Sequence, residues 1–237
     1  MAGNPTKSLI LLCDIQSTFG PVMHGYEHVV RGASKLLRLA KLLSIPVVTT
    51  TQYTKALGPL DPALQPHLDA LTEAGLHHGP SDKTRFSMCI PEVIERITND
   101  VDRVIIVGIE SHICVLQTLR DLRILFPNSP APLHSPGVEV SVESPLAHLP
   151  TVNRNRIKPL HLIALSDCVS STNPFEATVS LQTMRNQLSV QVSTSECLAY
   201  DLIIDAKSPL FKQFSAIMKE EKPGANESAE FWANSRM

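Results

Sequence analysis

Residues 103–119, RVIIVGIESHICVLQTL, decide the fold. RVIIVGI, residues 103–109, is a continuous β-branched run and the clearest strand of the chain. It ends at Gly108, turns within a few residues and gives way to an apolar spacing of helical period over 111–125. With Ser111 as helix N-cap, Cys114 is the third helical residue. A thiol in a helix's first turn faces unpaired N–H groups and the positive end of the helix dipole, which favour a thiolate and can also hold an oxyanion.

The same alternation extends outward in both directions. SLILLCD, residues 8–14, is a short apolar run emptying into the polar loop QSTFG, with Asp14 at its carboxyl end. Helical spacing over 28–43 precedes Pro46 and the β-branched run PVVTTTQ, completing one βαβ unit. Residues 53–81 hold several Gly and Pro and only a weak helical pattern around 63–74; they read as a long excursion over the sheet's upper edge, with Lys83 at its end. A helix at 91–98 opens with Pro91; strands at 161–167 and 189–196 flank a helix over 174–187, and a further helical region runs to about 217. Strand–helix alternation of this kind predicts one α/β domain, a three-layer α/β/α arrangement around a doubly wound, mostly parallel sheet, with the ligand site beyond the carboxyl ends of the strands. Residues 127–160, rich in Pro and Ser, read as a surface insertion in a domain spanning 1–217. Residues 218–237, polar with one Phe-Trp pair, read as a tail that is mobile or packs on a partner subunit.

Composition removes several function classes. The chain has 237 residues, 19% of them charged, and a formal net charge of −2, so it offers no basic face for a phosphate backbone. Nucleic acid is therefore not an expected partner. No apolar run reaches the roughly 18 residues that cross a bilayer, and the N-terminal segment lacks a separate signal region. Five cysteines, at 13, 89, 114, 168 and 197, are odd in number and irregularly spaced, which suits a reducing cytoplasm better than a disulfide framework. An isolated cysteine is usually a small core hydrophobe, and Cys13, Cys89, Cys168 and Cys197 are expected to be that. Asp14 shifts the balance for Cys114, because a carboxylate at the end of a buried strand needs a proton to take or a cation to meet. Lys83 can supply the cation. Asp167, ending its own strand, is expected to brace the loops or cap a turn.

The segments DIQ, KTRFSM and GIESHICV, together with LLSIPVVTTTQY, SDCVSS and STSECLAYDLI, are in order and in register with the isochorismatase-like cysteine hydrolases, and the sequence resembles most the isochorismatase domain-containing proteins of eukaryotes. The resemblance implies an Asp14–Lys83–Cys114 triad and a non-proline cis peptide before Glu110. It also implies an oxyanion hole made by the backbone N–H groups of Glu110 and Cys114. Gln16, Phe19, Tyr53, Phe86 and His112 flank these positions and are candidate pocket residues. Metal-binding members place Asp-x-His after the second strand, where this chain reads TTTQYTK; no metal and no other cofactor is expected, and His77 and His78 read as surface loop residues. Retention of the cysteine favours attack on a carbonyl of a small molecule, with amide, ureido or carbamoyl C–N cleavage through a thioester. An inactive scaffold on the same fold and an isochorismate-type vinyl-ether hydrolase are the alternatives. A homo-oligomer, dimer or larger, is the expected assembly.

Overall fold

A computed structural model describes residues 7–126 and 159–235. Six parallel strands form one sheet in the order β3-β2-β1-β4-β5-β6. They are β1 Lys7–Cys13, β2 Val47–Gln52, β3 His77–Lys83, β4 Val101–Ile109, β5 His161–Ser170 and β6 Gln191–Ser193. The order reverses direction between β1 and β4, the two central strands, so the crevice of a doubly wound sheet opens at their carboxyl ends. Their unbroken apolar runs reflect burial on both faces. Leu9, Leu11 and Cys13 pack on one face, and Ile10 and Leu12 on the other.

The first face is covered by α4 Pro91–Ile94, α5 Leu116–Leu125 and α6 Pro174–Gln187; the second by α1 Tyr26–Leu42, α3 Gln65–Glu73, α7 Ser195–Ile203 and α8 Phe211–Ser235. A single turn, α2 Thr54–Leu57, links β2 to α3. α1 owes its position to Val29, Val30, Ala33, Leu36, Leu37 and Ala40, spaced to bury one stripe against the sheet. Each buried Val or Leu among them contributes about 1.5–3 kcal/mol by leaving water. Gly108 lies where β4 passes β1: its φ is +118°, and a Cβ there would stand 2.0 Å from the Cys13 carbonyl oxygen. Only glycine permits this approach.

Four sequence expectations need correction. The excursion 53–81 contains a sixth strand, β3, hidden by its polar residues and by the cis Gly79–Pro80 bond within it. As an edge strand it tolerates a proline, and His77, expected on a loop, instead faces Thr49 Oγ1 at 2.9 Å and Thr72 Oγ1 at 3.0 Å. The strand expected at 189–196 stops at Ser193, since Thr194 caps α7 by accepting from the Cys197 N–H. The helix expected at 91–98 is shortened to α4. Finally, the residues read as a polar tail continue α8 to Ser235, running through Pro223. Phe231 stacks on His28 with centroids 4.3 Å apart, and Trp232 joins the core of the second face; both were outweighed in the sequence by the charged residues around them. Those charges also find partners within the chain, Arg38 with Glu220 and Glu221 and Arg31 with Glu227. Of the expected insertion, 127–160, residues 127–158 lie outside the described residues.

Candidate active site

Strand register brings the chemical residues together. Cys13 pairs with Thr50 on one side and Gly108 on the other, while Gln52 pairs with Lys83, so the ends of β3, β2, β1 and β4 lie abreast. Asp14 follows β1 in a left-handed conformation, φ 50°. A non-glycine residue held there costs energy and persists only when its surroundings demand it. The surroundings here are ionic. Lys83 reaches over β2 and puts its ammonium 2.6 Å from Asp14 Oδ2. Asp14 Oδ1 accepts from the Thr50 hydroxyl at 2.7 Å. Asp14 is 1% exposed and Lys83 3%, so the pair is buried.

A buried ammonium must have all its protons satisfied. Lys83 Nζ has four acceptors in range: Asp14 Oδ2, Gln52 Oε1 at 2.7 Å, Phe86 O at 2.8 Å and Arg85 O at 3.1 Å. Burial alone pulls the lysine's pKa down, but Cys13, Asp14 and Cys114 together outweigh it and leave the pKa above its ordinary value. Lys83 is thus held charged.

Cys114 sits in a π-helical turn, Ser111–Val115, that precedes α5. Glu110, with no capping side-chain bond, is the N-cap in place of Ser111, and its carbonyl accepts from Ile113 N at 3.1 Å and Val115 N at 3.2 Å. Such turns concentrate at functional sites. The turn is pinned from several directions. Ser111 Oγ bonds Ser171 Oγ at 2.7 Å and Ser180 Oγ at 3.0 Å, Glu110 Oε2 accepts from Thr172 N and Oγ1 at 2.8 Å each, and Thr118 Oγ1 donates to Cys114 O at 2.6 Å. The peptide between Ile109 and Glu110 is cis. Cys114 is 7% exposed. Its sulfur, the Cys13 sulfur and an Asp14 carboxylate oxygen all lie within 4.8 Å of one another. Three such donors suit a soft metal, but Lys83 already sets a positive charge against the same carboxylate, and a divalent cation would meet that ammonium at contact range.

The expected pocket residues divide. His112 stays with the site: its Nδ1 lies 2.9 Å from Ser171 Oγ and 3.9 Å from Glu110 Oε2. Tyr53 and Phe86 are largely exposed and bracket Lys83, through Tyr53 N to Lys83 O at 2.8 Å and the Phe86 carbonyl on Nζ. Gln16 is fully buried and acts as a brace, holding Gln52 N, Gln52 O and Gly58 O, and Phe19 packs against the core of the second face. Sequence reasoning passed over Thr50, Gln52 and Thr118. The run TTTQ held the signal, since polar side chains on a buried strand need partners. A cavity of about 550 Å³ lined by Lys35, Asp167, Arg185 and Trp232 touches none of Asp14, Lys83 or Cys114.

Comparison with known proteins agrees with this picture. Residues 8–125 match the isochorismatase domain model. The chain is 29% identical to the secreted isochorismatase effector Isc1 of Phytophthora sojae over 91% of its own length and 86% of that protein. It is 30% identical to isochorismatase domain-containing protein 2A of Mus musculus over 92% of its length and 86% of the mouse protein. Among solved structures, the MAR1 ribonuclease of Caenorhabditis elegans superposes with a TM-score of 0.67 at 29% identity, covering 91% of each chain. Among the described residues no helix is long and apolar enough to cross a membrane. With its six-stranded parallel sheet and its likeness to these proteins over 91–92% of its length, the chain belongs to the isochorismatase family and carries that family's hydrolase fold.

Proposed function

We propose that the protein is a cysteine hydrolase that cleaves a C–N bond, amide, ureido or carbamoyl, of a small molecule through a thioester on Cys114. The observation that carries this reading is the convergence of the Cys114 sulfur and the Asp14 carboxylate, within 4.8 Å, beside an ammonium that stands 2.6 Å from the same carboxylate. Asp14 takes the thiol proton, and the sulfur attacks the substrate carbonyl. The N–H groups of Glu110 and Cys114 receive the developing oxyanion. Asp14 returns the proton to the leaving nitrogen, the C–N bond breaks, and the acyl group stays on sulfur. Water, deprotonated by Asp14, then attacks the thioester; the acid leaves and the thiol is restored. Lys83 remains protonated throughout and keeps Asp14 ionised between proton transfers.

Tyr53 and Phe86, exposed beside Lys83, and His112, two residues before Cys114, are the side chains this reading assigns to substrate. The reading includes a cytoplasmic home and a homo-oligomer, which light scattering on the purified chain measures. The test of activity is a panel of small amides, ureas and carbamoyl compounds, with a single-stranded RNA included because the similar nematode protein is described as a ribonuclease. Turnover of a C–N compound by the wild type but not by Cys114→Ala supports the proposal. Turnover that survives Cys114→Ala and is lost in Asp14→Ala identifies vinyl-ether or related acid-dependent chemistry instead.

A further inference from the structure

Cys13 has no part in the hydrolytic scheme, yet it lies against the reactive sulfur. It is the last residue of β1, and Cys114 follows the neighbouring strand β4; both side chains belong to the same packed face of the sheet. The absence of a Cβ at Gly108 lets the two strand ends close up. The two sulfurs are within 4.8 Å, and Cys13 Sγ donates to Asp14 Oδ2 at 3.5 Å. The other buried thiols are engaged elsewhere, Cys89 with Thr118 O and Cys168 with Asp167 Oδ1.

We propose that Cys13 is a resolving cysteine: when a hydroperoxide oxidises Cys114, Cys13 captures the product as a Cys13–Cys114 disulfide, a reversible modification that closes the site. The order of events follows from exposure, since Cys114 keeps 7% of its surface accessible while Cys13 is fully buried. Burial first, then the hydrogen bond with Cys114 and the charge of Asp14, push the Cys13 thiol well above its ordinary pKa and keep it protonated until it is needed. In the first step the Cys114 sulfur attacks the peroxide O–O bond; the sulfur is oxidised to a sulfenic acid, the peroxide is reduced, and the thiol proton leaves with the alcohol or water formed. In the second, Asp14 accepts the Cys13 proton along the existing Sγ–Oδ2 contact and the Cys13 sulfur attacks the sulfenic sulfur. The S–O bond breaks, the departing hydroxide takes the proton from Asp14, and one water is released. Side-chain rotation must bring the sulfurs to about 2 Å. A dithiol reverses the process, becoming a disulfide itself while both thiols are restored. The proposal requires only that a small oxidant reach Cys114, so it stands or falls separately from the hydrolytic reading.

The experiment treats the reduced full-length chain with dilute hydrogen peroxide and maps the product by non-reducing digestion and mass spectrometry. The expected result is a loss of two hydrogens, about 2 Da, a linked peptide pair containing Cys13 and Cys114, and recovery with dithiothreitol. Cys13→Ala should give no linked pair; Cys114 is instead trapped by dimedone and proceeds to the sulfinic acid, a gain of about 32 Da. Cys13→Ser serves as the second variant should the alanine protein fold poorly, and the wild-type peptide map decides in either case. Oxygen gain at Cys114 of the wild type without linkage, linkage of Cys114 to another cysteine, or inertness to peroxide overturns the proposal.

Discussion

Two places on the sheet, the end of one strand and the inside of another, carry nearly the same residues and make different contacts. At the end of β1 stand Cys13 and Asp14; within β5 stand Asp167 and Cys168. Each has a buried thiol beside an acid, and each lies in the field of a lysine, Lys83 for the first and Lys35 for the second. Asp14 is buried, held at positive φ, and bonded to an ammonium. Asp167 is partly exposed and is spent on α7, accepting from Ser195 N at 2.8 Å and from the Ser195 hydroxyl. Cys168 faces α1 at Gly32, where even a Cβ would come 2.6 Å from its sulfur, whereas Cys13 faces a second thiol. Residue type therefore does not separate the two places. Their partners do: Asp14 faces an ammonium and a thiol, the setting on which the proposed mechanism draws, while a hydroxyl and a helix N–H make Asp167 a cap.

The largest contrast should appear in turnover. Cys114→Ala is expected to lower kcat/KM by at least about 10⁴-fold, as loss of a covalent nucleophile does, with the melting temperature little changed. Asp167→Asn should leave kcat/KM within about threefold, because it touches no reacting atom. Equal losses would erase the distinction between the two places. Stability should separate them in the other direction. Lys83→Met strands a buried carboxylate and should cost about 3–5 kcal/mol in urea unfolding, whereas Asp167→Asn loses capping bonds worth about 1–3 kcal/mol. Adding Asp14→Asn to Lys83→Met should recover part of the loss, since no lone charge then remains buried.

The pH dependence sharpens the same point. The folded-state pKa of Lys83 is raised, so its pairing stabilises the protein fully below the ordinary value of 10.5 and the benefit disappears as pH climbs through the shifted value. The gap in unfolding free energy between wild type and Lys83→Met should accordingly be constant through neutral pH and narrow only above 10.5. The smallest effects concern single hydroxyls. Thr50→Val removes the donor to Asp14 Oδ1 and should slow turnover about tenfold, while Ser195→Ala, its counterpart beside Asp167, should leave the rate within about threefold. Parallel kinetics on the two variants check this.

Much of this was legible in the sequence, and what was not has a physical cause. The runs at 8–14 and 103–109 announced the central strands because burial on both faces leaves only apolar choices. The three residues brought together at their carboxyl ends were also visible: Asp14 as an acid where an acid is costly, and Cys114 in a turn. Lys83 needed the family resemblance to stand out from other loop lysines. β3 escaped notice because an edge strand has one solvated flank, so His77, Pro80 and Asp82 break no rule there. The continuation of α8 beyond about 217 escaped because its anchors, Phe231 and Trp232, are two residues among many charges, and periodicity cannot weigh two aromatics by the area they bury. Cys13 does pack, as its composition suggests; that its sulfur also lies within 4.8 Å of the Cys114 sulfur comes from the turn that follows β4, which pairing with Gly108 brings alongside and which composition does not carry.

The central claim is that the Cys114 sulfur, poised by Asp14 and Lys83, carries the acyl group. Rapid mixing of the protein with an activated amide or ester that releases a chromophore, followed by acid quench and peptide mapping, tests it most directly. The account predicts a release burst of about one chromophore per chain and an acyl adduct on the peptide containing Cys114, absent from Cys114→Ala. Steady turnover with no burst and no adduct, persisting in Cys114→Ala, would contradict it.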